Sequence, residues 1–284
     1  MLQRALGDAK VSAIGYGAMP LSVDGRPGAE DAIATVHAAL DAGITLIDTA
    51  DAYCLSSKET GHNERLVAEA LRRRVADRAG IMVATKGGHT RGGDGTWDVD
   101  GRPEYLKRAC DASLRALGVD VIDLYQFHRP DPVVPFEESA GALAELLAAG
   151  KIRRAGLSNV NIEQIEAARG VVPVTSVQNR LAPSFRSSLA EVRHCEAHGI
   201  AFLAWGPLGG MSIAASVGDR HPRFAEVARR HGVSPQRVAL AWELSLADVV
   251  VPIPGSSRPA TIIDSAAAVE LELTDDDISL LDAD

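Results

Sequence analysis

The chain has 284 residues, 46% of them hydrophobic, with 38 acidic against 29 basic side chains and a net charge of −9. That length suits one α/β barrel spanning residues 1–284 as a single domain, and the apolar share supports a sizeable core. The acidic surplus argues against a nucleic-acid partner, and no apolar run reaches the roughly 18 residues of a membrane span.

Residues 2–12 read as a short hairpin that caps the bottom of the barrel. Eight apolar runs then recur along the chain as predicted strands: 13–17, 44–48, 81–85, 121–127, 152–158, 174–178, 200–205 and 249–254. Most are rich in β-branched residues and apolar on both faces, as strands buried in a parallel sheet are. Segments with helical spacing alternate with them: 30–42, 63–74, 104–117, 136–149, 161–168, 187–198, 235–247 and 259–268. Gly43, Gly118 and Gly150 supply stops for three of these. Residues 272–284 read as one more helix, with Thr274 as its N-cap and acids in its first turn. Strand–helix alternation implies parallel pairing and right-handed crossovers, and eight units in one chain predict a closed (β/α)₈ barrel. The Gly-rich stretch 87–102 reads as a long loop beside the site, and 210–222 as a loop that folds over it.

Function in such barrels sits at the C-terminal ends of the strands. Asp48 follows the second strand, with Tyr53 just beyond; Lys86 follows the third and His128 the fourth. An ammonium next to a phenol stabilises the phenolate, and a carboxylate beside the ammonium keeps it charged and placed. A neutral imidazole can orient a carbonyl oxygen. The set describes a general acid next to a carbonyl, the protein's share of a hydride transfer from a reduced nicotinamide.

With D-x₄-Y at 48–53, Lys86 in TK and His128 in QFH, the sequence resembles the aldo-keto reductase superfamily, from GYGAM to the LTDDDISLLD helix. The resemblance implies Asp48, Tyr53, Lys86 and His128 as the catalytic residues and a carbonyl substrate. It also implies NADPH, with NADH as the alternative, bound in extended form across the barrel mouth. In keeping with that, no G-x-G-x-x-G follows a strand. It assigns Ser158, Asn159 and Gln178 to the nicotinamide amide and Trp205 to stacking on the ring. Gly206, Pro207, Leu208 and Gly209 fall to the pyrophosphate path, and Gly17, Ala18 and Met19 to a turn approaching the cofactor. Ser256, Ser257 and Arg258 fall to the 2′-phosphate, with Asp264 and Ser265 where relatives carry the adenine-holding Glu-Asn. Gly206 replaces the usual Ser, and Thr261 stands at an often basic position. Trp97 and residues 129–135 are expected to wall the substrate pocket. GYGAM and PLGG are shared with pyridoxal-reducing bacterial relatives.

Two other readings compete. Channel β-subunits of the same superfamily suggest a cofactor-binding regulatory module, and Lys86 could instead form a Schiff base as in barrel lyases. The other histidines, such as His62, His89 and His221, show no metal-ligand spacing, so no metal is expected. The isolated cysteines Cys54, Cys110 and Cys195 fit no disulfide framework. With no leader-like N-terminus, they point to a reducing cytoplasm, and the absence of a long apolar stripe to a monomer.

Overall fold

The computed structural model describes residues 1–74 and 80–283. β1 (Gln3–Leu6) and β2 (Ala9–Ser12) form the expected antiparallel hairpin. The barrel strands follow as β3 (Tyr16–Gly17), β4 (Leu46–Asp48), β5 (Met82–Gly87), β8 (Leu124–Phe127), β9 (Ala155–Ser158), β10 (Val174–Arg180), β11 (Ala201–Trp205) and β12 (Val250–Ile253). All neighbouring pairs are parallel, in chain order from β3 to β12. The ring is closed where Gly15 and Gly17 donate to the carbonyls of Pro252 and Pro254, at 2.9 and 3.0 Å, beside a Gly17–Gly255 bridge.

The predicted eight-unit alternation is thus the observed architecture. Several predicted strands shorten to the residues that make ladder bonds: 13–17 pairs only at 16–17, and 152–158 from 155 onward. β10 runs longer than predicted, to Arg180. The hairpin plugs the barrel bottom. Leu6 and Val11 pack with Leu46, Leu124, Leu203 and Val251, the inward-pointing strand residues that fill the interior.

The helices pack outside the strands: α1 (Ala29–Asp41), α2 (His62–Arg72), α3 (Pro103–Leu117), α4 (Phe136–Ala148), α5 (Ile162–Arg169) and α6 (Leu189–His198). After β11 come α7 (Val217–Arg220), α8 (Pro222–His231) and α9 (Pro235–Leu246). α10 (Pro259–Ala266) and α11 (Asp275–Asp282) end the chain, and residue 284 of the expected 272–284 helix lies outside the described residues. Thr274 caps α11 and acids fill its first turn, as expected, and Asp277 completes a capping box there.

Two segments depart from the sequence reading. The stretch 87–102 is not a plain loop but carries a hairpin, β6 (His89–Arg91) with β7 (Trp97–Val99). The region after β11 contains α7 and α8, where a loop over 210–222 and no helix over 222–231 were expected. Pro222 at the first turn, buried Phe224, Val227 and Ala228 on one face, and Gly232 in the left-handed conformation account for α8.

Candidate active site

The C-terminal ends of the strands surround a cleft of about 360 Å³. At its floor β4 ends on Asp48 and β5 presents Lys86, and both side chains are buried. The Lys86 ammonium donates to Asp48 Oδ1 at 2.6 Å, to the Thr49 carbonyl at 2.9 Å and to Tyr53 Oη at 3.1 Å. Its three hydrogens are therefore all committed. Burial pulls the Lys86 pKa down, but the charges of Asp48 and Tyr53 outweigh it and the net direction is up. An amine held charged in this way is a poor nucleophile, which counts against the Schiff-base reading.

Tyr53 reaches the cleft from the turn after β4, where its amide bonds the Ala50 carbonyl. Behind that turn α2 lends Asn63, which accepts from Thr49 Oγ1 and donates to the Ala18 carbonyl. The expectation that Lys86 makes the phenol more acidic holds as a local effect and fails as a net one. Burial pushes the Tyr53 pKa up, and the lowering by Lys86, itself opposed by Asp48, does not cancel it. Tyr53 is consequently a protonated phenol at neutral pH, and Lys86 is the group beside it that favours its phenolate.

His128 follows β8 and meets the Tyr53 ring edge-on, with centroids 5.6 Å apart. Burial, then the nearby charge of Lys86, holds its pKa well below 6.5, so the ring is neutral. Its Nδ1 is buried without a hydrogen-bond partner among the described residues. A proton there would be an orphaned donor, which favours the tautomer that carries it on Nε2.

Around this group the cleft wall rises from the other strands. Ser158 and Asn159 end β9, Gln178 lies on β10, and Trp205 with Gly206, Pro207 and Leu208 leaves β11. Gln178 donates to Asp48 Oδ2 at 2.8 Å, and Asn159 donates to the His128 carbonyl and to Ser158 Oγ. Asn159 holds a φ of 60°, the left-handed region Asn tolerates best after Gly. These bonds use the amide nitrogens, and among the described residues both amide oxygens are left for a ligand. Gly17 approaches the Ile253 carbonyl so closely that an added Cβ would lie 2.9 Å from it. Met19 lines the cleft beside it, whereas Ala18 is buried, with its amide on the Asp48 carbonyl.

The remaining sequence-selected residues stand apart from the cleft. Ser256 is buried and braces the Arg258 backbone, Ser257 is half-buried, and Arg258 is an exposed guanidinium at the N-terminus of α10. Asp264 is bound by Ser234 and Arg237, and Ser265 is buried, donating to the Thr261 carbonyl. Gly209 accepts from Arg180. On the substrate side Trp97 lines the cleft as expected. Of residues 129–135 only Arg129 does; Asp131 turns away to bond the Gly101 and Val133 amides.

Sequence reasoning missed Gln126, His89 and Met211. Gln126 donates to Asp48 Oδ2, and its position two residues before His128 on one strand was a readable signal. His89 stacks on Trp97 at 4.5 Å and meets His128 edge-on at 4.9 Å; burial and nearby arginines lower its pKa to about 4. Its spacing excluded a metal role but said nothing about a pocket wall. Met211 reaches the cleft only because Gly209 and Gly210 turn the chain there with positive φ.

Comparison with known proteins places this geometry. Residues 13–283 match the family model described as the Aldo/keto reductase family. A 6-dehydroglucose reductase of Novosphingobium aromaticivorans is 36% identical over 92% of this chain and 87% of its own. Among solved structures, a glycerol dehydrogenase from Gluconobacter oxydans superposes with a TM-score of 0.84 at 27% identity, over 99% of this chain and 94% of that one. An aldo/keto reductase from Klebsiella pneumoniae, in complex with NADP and acetate, gives 0.80 at 25% identity over 97% and 92%.

Proposed function

The chain belongs to the aldo/keto reductase family and is an oxidoreductase of carbonyl compounds; from that premise we propose that it reduces an aldehyde or ketone with NADPH, using Tyr53 as the acid. The observation that carries this reading is the contact of Lys86 with both Asp48 and Tyr53 at the floor of a cleft that His128 also lines.

The site fits a nicotinamide dinucleotide. The free amide oxygens of Asn159 and Gln178 suit a carboxamide NH₂. Trp205 offers an aromatic face with a buried, unpartnered Nε1. Arg258 takes no partner among the described residues and is free for a 2′-phosphate, a task for which a guanidinium fork is suited. The adenine contacts expected at Asp264 and Ser265 receive no such support, since both side chains are engaged within the fold.

When bound, the reduced nicotinamide supplies a hydride to the carbonyl carbon. His128 Nε2–H holds the carbonyl oxygen and turns it toward Tyr53 Oη. As the oxygen gains negative charge, Tyr53 releases its proton to it, and Lys86 stabilises the phenolate left behind. Asp48 balances the ammonium, and Gln126 and Gln178 satisfy the second carboxylate oxygen. The mostly apolar walls, Trp97 and Trp205 among them, exclude water and strengthen each of these interactions. A soluble carbonyl molecule in the cytoplasm, met by a monomer, remains the substrate setting we favour.

The test follows NADPH consumption with a panel of small and aromatic aldehydes. Turnover is expected, with a preference for NADPH over NADH that falls about tenfold or more in Arg258→Ala. No consumption with any carbonyl would overturn the reading and favour the regulatory module.

A further inference from the structure

Away from the cleft, on the outer surface, α5 and α6 bring together Glu166, His194 and His198, each offering a ligand atom within 4.8 Å of the others. We propose that these three side chains form a site for a divalent transition ion of the zinc class, which ties α5 to α6.

The argument starts from helix periodicity. His194 and His198 lie four residues apart on α6, so their rings share one face, with centroids 4.4 Å apart. Glu166, on the facing side of α5, accepts from His194 Nε2 at 2.9 Å. His198 Nδ1 bonds the His194 carbonyl at 2.8 Å. A carbonyl only accepts, so that nitrogen carries the proton, and in the neutral tautomer this fixes, Nε2 is the atom left for a metal. A backbone acceptor behind the ring is the usual device for fixing a ligating histidine. Glu166 Oε1 holds both His194 and Arg169, which leaves Oε2 without a partner among the described residues.

Around a tetrahedral zinc, ligand atoms at about 2.0–2.2 Å from the metal stand roughly 3.4 Å from one another. The observed spread of up to 4.8 Å needs up to about 1.4 Å of closure, within reach of side-chain rotation because Glu166 and His198 are exposed and His194 is half-buried. Binding breaks the His194–Glu166 bond, the Nε2 proton of His194 moves by way of solvent to Nδ1 so that Nε2 can ligate, and a fourth position is left for water. Two imidazoles and one carboxylate favour zinc, nickel or copper over magnesium, which prefers an all-oxygen shell. The sequence reading expected no metal. An H-x₃-H pair is visible in the chain, but its third ligand comes from a different helix and only the fold supplies it.

The experiment is calorimetric titration of the chelator-treated full chain with zinc chloride and, separately, magnesium chloride. One zinc per chain with an affinity on the order of micromolar is expected, no binding of magnesium, and a rise in the thermal midpoint with zinc. His198→Ala and Glu166→Gln should each weaken zinc binding by about tenfold or more. His198→Ala leaves the Glu166–His194 bond in place, and circular dichroism confirms its fold. Cobalt substitution should give tetrahedral visible absorption in the parent chain and not in His198→Ala. Absence of zinc binding, or binding undiminished in both variants, overturns the proposal; the second outcome means an ion held elsewhere on the surface.

Discussion

Replacing Lys86 with Met removes one charge from the floor of the cleft, and its consequences separate stability from catalysis. At 3.1 Å from Tyr53 Oη, a unit charge interacts with a full phenolate by about 5 kcal/mol at an effective dielectric of ~20. A proton half-transferred in the transition state makes that about 2–3 kcal/mol, or roughly a hundredfold in rate. Asp48, no longer neutralised, opposes the phenolate and adds to the loss. The same carboxylate is left buried with only Gln126 and Gln178 as partners, a situation that costs about 3–5 kcal/mol of stability. Removing both charges, as Asp48→Asn with Lys86→Met, should recover most of the stability and none of the rate. Urea unfolding and steady-state NADPH oxidation of the two variants, side by side, make the comparison. A Lys86→Met variant with kcat within threefold of the parent, or a double variant that regains activity, would refute the reasoning.

Acid should destabilise the fold through its neutral histidines. His128 and His89 titrate below 6.5 in the fold, His89 at about 4, while the unfolded chain takes up protons near 6.5. Their contribution is therefore present above pH 6.5 and is lost as pH falls below it; urea midpoints from pH 8 to pH 4.5 read this, and His89→Gln should flatten part of the slope. On the alkaline side, burial raises the Tyr53 pKa above its ordinary 10, so the rate of carbonyl reduction should show no limb from this group until above about pH 10. Phe224→Ala should cost about 3–5 kcal/mol, because its ring is buried against Trp242 at 5.9 Å; a change under 1 kcal/mol in urea unfolding would mean that α8 does not pack as described.

The sequence carried the barrel because its strands are short, apolar and separated by well-spaced helices with glycine stops. Asp48, Lys86 and His128 were legible for a related reason: each stands at the C-terminal end of an apolar run, where a barrel carries its site. Tyr53 was legible only through its company, five residues beyond Asp48 at the same strand end, since a tyrosine in a turn has no periodic signature. α8 was legible in principle, from Pro222, the Phe224–Val227–Ala228 spacing and Gly232, but it directly follows the stretch 210–222, whose glycines and serines suggested a loop. His89 and Arg129 were not legible as a pair, because one precedes α3 and the other follows it. Only the parallel pairing of β5 with β8 makes them neighbours. The adenine expectation at Asp264 rested on aligned position alone, and Arg237, from a different helix, holds that carboxylate.

The central claim is that the Tyr53 hydroxyl delivers the proton. Single-turnover hydride transfer in Tyr53→Phe tests it most directly, with NADPH affinity measured on the same preparation. The account predicts a rate lower by about 10²–10⁴ at unchanged NADPH affinity. A rate within a few-fold of the parent would contradict it.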